Sequence, residues 1–138
     1  MQPNNYLAID VGEKRVGLAL ASAVAKLPAP YTTLSFDEMT IQKIAQIADD
    51  EHVGTLVVGL PKNRNDQPTQ QTEFTQKFIE QLASLENVEI VTQDETLSSK
   101  RARQELERRK KPYEKSAVDA LAATYILEDY LRETGVIT

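Results

Sequence analysis

The chain has 138 residues, 41% of them hydrophobic and 27% charged, with a net charge of -5. That length suits one domain with a real core, and a single domain over 1–138 is the expectation. The absence of Cys excludes disulfides and thiolate chemistry, and the single His, His52, argues against a His-rich metal site or a triad.

No apolar run approaches the ~20 residues a membrane span needs, so no membrane association is expected. Met1-Gln2-Pro3-Asn4-Asn5 lacks a basic region leading into an apolar one, and the cytoplasm is the expected location.

The first elements read as a hairpin, with strands near 6–11 and 15–22 around a glycine-containing polar turn. Tyr6 to Ile9 is nearly all apolar, as in a strand buried on both faces, and it ends in Asp10. A lone carboxylate at such a place is costly unless a cation or donors meet it. Pro28 and Pro30 break the next stretch, and Tyr31 to Leu34 predicts a third strand. Ser35 and Glu38 form a capping-box pattern ahead of a helix with Ile41, Ile44, Ala45 and Ala48 on one face. Gly54 stands where a C-cap glycine is expected.

Thr55 to Leu60 reads as a buried parallel strand, and the polar stretch from Lys62 to Thr69 as a loop at its carboxyl end. A helix with Phe74, Phe78, Leu82 and Leu85 on one side follows, then a strand over 88–91 running into Asp94-Glu95. Residues 97–110 predict a helix with a thin stripe of Leu97, Ala102 and Leu106, ended by Pro112. Ser116 is placed to cap a last helix carrying Leu121, Ala122, Tyr125 and Ile126. The order β-β-β-α-β-α-β-α-α implies an α/β fold with a mixed sheet flanked by helices.

Charge is segregated. Residues 100–115 hold eight of the sixteen basic residues against three acids, a local +5 that leaves -10 on the rest. A local field of that sign favours a polyanion; the plainer reading is a solvated helix face with pairs such as Arg101–Glu105 and Arg103–Glu107.

Three acids occupy comparable places: Asp10 at a strand end, Asp94 or Glu95 past another, and Asp119 early in the last helix. Ligands in open α/β sheets gather at the carboxyl ends of strands, where the acids at 10 and 95 converge if their strands are neighbours. Clustered carboxylates need a cation between them, and oxygen-only ligands suit Mg²⁺ or Mn²⁺. Two such ions ~3.5–4 Å apart activate a water and stabilise the leaving oxygen of a phosphodiester. Each acid also has a plainer role: a turn residue at 10, a loop acid or dipole partner at 94 and 95, a capping-box partner of Ser116 at 119. Lys62 and Arg64 stand where phosphates could be met, or in a solvated turn, and Lys14 and Arg15 either touch substrate or offset nearby acids.

Four ordered motifs carry a resemblance: Asp10-Val11-Gly12-Glu13-Lys14-Arg15-Val16-Gly17; Val58-Gly59-Leu60-Pro61 with Asn63; Asp94-Glu95 with Leu97-Ser98; and Val118-Asp119-Ala120-Leu121-Ala122-Ala123 with Ile126-Leu127. In this order the chain resembles the YqgF, or RuvX, family, described as pre-16S rRNA nucleases and as Holliday-junction-resolvase-like proteins. The resemblance implies an RNase H-like mixed sheet of about five strands and a metal-dependent endonuclease processing the 5′ end of the 16S rRNA precursor. It implies Asp10, Glu95 and Asp119 as catalytic, metal-binding acids for Mg²⁺ or Mn²⁺. Lys14, Lys62, Asn63, Arg64, Lys100, Arg101, Arg108, Arg109 and Lys115 are the expected substrate-binding residues. The expected partner is nucleic acid, pre-16S rRNA first and branched DNA second, and the expected state is a monomer or homodimer. Two departures stand out: Thr96 replaces the family's usual Arg, and the loop after Asn63 is shorter and lacks the usual Asp-Gly.

Two other classes remain open on residues alone. One is a scaffold that grips nucleic acid without cutting it. The other is a small actin-like nucleotide binder sharing Asp-x-Gly at its first hairpin, although the chain is short for a two-domain clamp and shows no second Gly-rich phosphate loop.

Overall fold

The structure, a computed structural model, describes residues 4–61, 70–95 and 97–138. Nine elements follow in order: β1 (Asn5–Val11), β2 (Arg15–Ala21), β3 (Ala29–Ser35), α1 (Thr40–Asp50), β4 (Val53–Leu60), α2 (Gln70–Leu82), β5 (Glu89–Asp94), α3 (Ser98–Arg108) and α4 (Lys115–Glu133). The types and their order are those the sequence predicts. The strands form one five-stranded sheet in the order β3-β2-β1-β4-β5. β1 pairs antiparallel with β2 and parallel with β4, β2 pairs antiparallel with β3, and β4 pairs parallel with β5.

Alternation along the central strands decides what covers each face. Leu7, Ile9 and Val11 of β1, Val16 and Leu18 of β2, and Leu56 and Val58 of β4 join Ile44 of α1 and Phe78 and Leu82 of α2 in one buried cluster. The opposite face is built from small residues. Ala8, Ala19, Ala21 and Val57 pack on Ala123, Ile126, Leu127 and Leu131 of α4. Small side chains let the α4 backbone approach the sheet closely. A Cβ added at Gly17 would collide with the carbonyl group of Asp119 and the amide nitrogen of Ala120. On its far side α4 is covered by α3 through Ala102, Leu106, Val118, Leu121 and Ala122, which explains why α4 is apolar around most of its circumference.

Four local expectations are corrected. Ser35 ends β3 and does not cap α1. The turn into α1 is closed by Asp37 and Thr40 instead, with the Met39 amide donating to Asp37 Oδ1 at 2.8 Å and the Asp37 amide to Thr40 Oγ1 at 2.9 Å. Gly54 lies inside β4, and the left-handed residue after α1 is His52, with φ 54°. Ser116 sits in the first turn of α4, whose N-cap is Glu114 without a side-chain cap bond. Leu97 is not part of the α3 stripe: it precedes the helix with φ 68° and is 58% exposed.

Candidate active site

Asp10 is one pleat beyond Ala8 and therefore faces α4. Directly beside it in the sheet is Gly17 of β2. Because Gly17 has no side chain, the Asp119 segment of α4 seats against it, which brings the third acid to the first.

Glu95 arrives by a different route. β5 is not a neighbour of β1; β4 lies between them. Gly59 of β4 removes the obstacle. A Cβ there would lie 2.9 Å from Glu95 Oε2 and 2.6 Å from Ile126 Cδ1, so the Glu95 side chain lies across the bare backbone of β4 toward Asp10. The turn is held at both ends. The Glu95 amide donates to the Leu60 carbonyl at 3.2 Å, and the Glu95 carbonyl accepts from the Ser98 amide at 3.0 Å and the Ser98 hydroxyl at 2.8 Å.

Asp10, Glu95 and Asp119 thus line one cleft of about 420 Å³, together with Gly12, Gln71, Leu97, Ser98, Ser99, Lys100 and Arg103. Burial and mutual repulsion set its electrostatics. Glu95 is pushed up to about 8, first by burial, then by the Asp10 charge and by the hydrogen bond it donates to Asp10. Asp10 is raised to about 6 by burial, with the Glu95 bond opposing and the Asp119 charge adding to the rise. At neutral pH the two carboxyls therefore share one proton. Asp119 accepts from Arg15 Nε at 2.6 Å.

A testable consequence follows from the sign. Both carboxyls bind protons more tightly folded than unfolded, so the folded state holds more protons than the unfolded one between pH ~4 and ~8. Their contribution is complete below pH ~4 and is lost on raising the pH through that window. Chemical denaturation of the metal-free protein at pH 5 and pH 8 checks it; a midpoint that rises toward pH 8 contradicts it.

The donor set is all oxygen and belongs to the chemistry of a hard divalent cation. A position shared by two carboxyls that need a proton is also one where a cation relieves the repulsion. Among the described residues no three acid or His side chains already stand at the spacing of a metal site; Glu95 and Asp10 are engaged with each other and Asp119 with Arg15.

Residues 4–133 match a family model for RuvX, described as Holliday junction resolvase. The chain belongs to the RuvX family. Relatives called "Putative pre-16S rRNA nuclease" include one from Chloroflexus aurantiacus, 37% identical over 135 residues covering 95% of this chain and 88% of the relative. Another, from Staphylococcus epidermidis, is 34% identical over 141 residues, with 95% and 97% covered. Among solved structures, RuvC of Thermus thermophilus in complex with a Holliday junction substrate superimposes with a TM-score of 0.58 at 11% identity, covering 96% of each chain. The fowlpox virus resolvase bound to junction DNA gives 0.54 at 10% identity, covering 94% of this chain and 98% of that one. The fold is RNase H-like, and RuvX membership places the chain among nucleases, a class of nucleic-acid hydrolases.

The basic residues of this RuvX chain divide into two groups. Arg101 pairs with Asp129 at 3.0 Å and lies 4.4 Å from the Tyr125 ring centroid. Arg108 and Arg109 both pair with Glu105, at 2.6 and 3.2 Å. These pairs replace the Arg101–Glu105 and Arg103–Glu107 pairs suggested by spacing. Lys100 and Arg103, one turn apart on α3, line the cleft and form no ion pair among the described residues. Arg103 and Gln71 are cleft residues that the sequence reading did not single out. Gln71 at the start of α2 donates to the Val11 carbonyl at 3.1 Å, tying that helix to the end of β1. Lys14 in the hairpin turn and Lys115 at the start of α4 are exposed. Lys62, Asn63, Arg64 and Thr96 lie outside the described residues. No helix among the described residues is long and apolar enough to cross a membrane.

Proposed function

We propose that the chain is a metal-dependent endonuclease of the cytoplasm that hydrolyses a phosphodiester near the 5′ end of the 16S rRNA precursor. The observation that carries this reading is the gathering of Asp10 of β1, Glu95 of the turn after β5 and Asp119 of α4 in one cleft with Lys100 and Arg103 on its wall. The names of the 16S-processing relatives support the substrate.

Asp10, Glu95 and Asp119 would hold Mg²⁺ or Mn²⁺, two ions in the full site. When bound, the ions supply an activated water and neutralise charge at the departing 3′ oxygen. The chain's own residues do the rest. Lys100 and Arg103 face the substrate phosphates, which positions the strand without reading its sequence. The +5 segment over 100–115 draws the polyanion to the cleft, while Lys14 and Lys115 extend the charged surface.

A second reading, cleavage of branched DNA, is favoured by the description of the RuvX family model. One experiment separates the readings. Purified protein is given Mg²⁺ or Mn²⁺ and offered a 5′-extended 16S precursor or a four-way DNA junction. Shortening of the precursor, abolished by EDTA, is the expected result. Faster cutting of the junction transfers the assignment to DNA. Salt-dependent binding of both substrates with no product in either leaves a binding module and removes the nuclease.

A further inference from the structure

Arg15 is the cation paired with Asp119, the acid that α4 brings to the cleft. It opens β2 directly after the hairpin turn, where its carbonyl accepts from the Gly12 amide at 2.9 Å. The turn therefore fixes its backbone. Its side chain reaches to α4 and donates through Nε to Asp119 Oδ2 at 2.6 Å. The pair is only partly covered, with 37% of the Arg15 and 21% of the Asp119 side chain exposed, so it can exchange partners at small cost.

We infer that Arg15 is an exchanging positioning residue: it neutralises Asp119 in the metal-free site and moves to a substrate phosphate when a divalent cation takes that carboxylate. Three physical points lead here. A guanidinium stays charged at any working pH, so it cannot leave the cluster by losing a proton. A cation held by Asp10, Glu95 and Asp119 repels it and takes its acceptor. Its planar fork is shaped for a phosphate, the anion that the proposed reaction brings to the same place. Metal and nucleic acid then bind cooperatively, because each removes a cost the other would meet, and the coupling is reciprocal. This inference rests on the metal-dependent reading above.

The test measures phosphate contacts, not cleavage. Affinity for a fluorescein-labelled RNA hairpin is followed by anisotropy across a KCl series, once in EDTA and once in Ca²⁺. Each phosphate contact adds ~0.7–0.9 to the slope of log affinity against log salt. Wild type and Arg15→Gln are expected to share one slope in EDTA. In Ca²⁺ the wild type is expected to be steeper than Arg15→Gln by about one contact, ~0.7–0.9. Asp119→Asn releases Arg15 without metal, so it is expected to show the steeper slope already in EDTA, and adding Arg15→Gln to it removes the gain. By calorimetry Arg15→Gln binds Ca²⁺ more tightly than wild type.

An Arg15→Gln slope lower than wild type by the same amount in both buffers makes Arg15 a constant contact and overturns the exchange. Equal slopes in both buffers, with Ca²⁺ binding intact, also overturn it while leaving the metal-dependent reading standing. Wild type that binds no Ca²⁺, Mg²⁺ or Mn²⁺ removes that reading and the exchange together. Asp119→Asn supplies the same comparison if Arg15→Gln does not fold.

Discussion

Asp10→Asn is expected to lower metal-dependent cleavage by at least ~10³-fold while raising the melting temperature of the metal-free protein at pH 8. The loss follows from the role proposed for the carboxylate. Holding the ion that stabilises charge at a phosphodiester is worth several kcal/mol, and each 1.36 kcal/mol is tenfold in rate. The gain follows from the same side chain in the empty site. Asp10 stands beside Glu95, which burial and the Asp10 charge push up to about 8. Removing that charge by an isosteric amide relieves a repulsion the fold otherwise carries at high pH. A stability gain of ~1–3 kcal/mol at pH 8, shrinking to nearly nothing at pH 4 where both carboxyls are protonated, is the signature. A variant that loses activity because it unfolds shows the opposite melting shift. Thermal melts at the two pH values beside a cleavage assay decide between them. Retained cleavage removes Asp10 from the proposed mechanism. Lost cleavage with lowered stability at pH 8 assigns Asp10 a structural part instead.

The fold is legible in the sequence because its strong signals are local. The apolar runs at 6–9 and 55–60, the stripe through Ile41, Ile44 and Ala48, and that through Phe74 and Phe78 each report the neighbours an element will bury against. The punctuation is read less well. Ser35, Gly54 and Ser116 are residue types that cap helices, but the caps used are decided by where the chain leaves the sheet. Ser35 still pairs with Arg15 in the β3–β2 ladder, so α1 cannot begin until Thr40. Gly54 continues β4, and the turn before it is made by His52. On α3 the ion pairs follow from α4 lying alongside: Asp129 draws Arg101 across the helix interface, and Glu105 turns to Arg108 and Arg109.

The site is legible in its acids and not in its geometry. Asp10 stands out because it ends an apolar strand. The sequence brings it to Glu95 if β1 and β5 are neighbours, and they are not, yet the two acids meet across β4. The signal that carries the convergence is an absence of side chain. Gly59 clears a path across β4, and Gly17 lets α4 settle onto β2. Both glycines are visible in the sequence, but a glycine within a strand does not say what will lie against it. The alternation Ala8, Asp10 against Leu7, Ile9, Val11 does say which face Asp10 takes once α4 is known to cover the small-residue face.

Gly17→Ala is expected to be the most damaging single-methyl change in the chain. The added Cβ would meet the carbonyl group of Asp119 and the Ala120 amide nitrogen, which are helix backbone and cannot rotate away. The strand itself gains from losing a glycine, by ~0.5–1 kcal/mol. Overpacking a tight core costs ~1–3 kcal/mol and occasionally more. With backbone on the receiving side the upper end applies, for a net loss of ~2 kcal/mol or more that urea unfolding reads directly. The same displacement lifts Asp119 away from Asp10, and a misplacement of ~1 Å can cost ~10²-fold in rate. Gly54→Ala is the control. A Cβ there would collide with Cβ and Cγ of Asn4, so the exposed backbone just ahead of β1 must shift, but away from the cleft; a smaller loss of stability than at Gly17, with full cleavage, is expected. If Gly17→Ala kept cleavage as Gly54→Ala is expected to, close seating of α4 on β2 would not be what holds Asp119 at the cleft. Paired with Asp10→Asn at pH 8, the two variants pull stability in opposite directions while both lower cleavage, a pattern that a general loss of folding cannot produce.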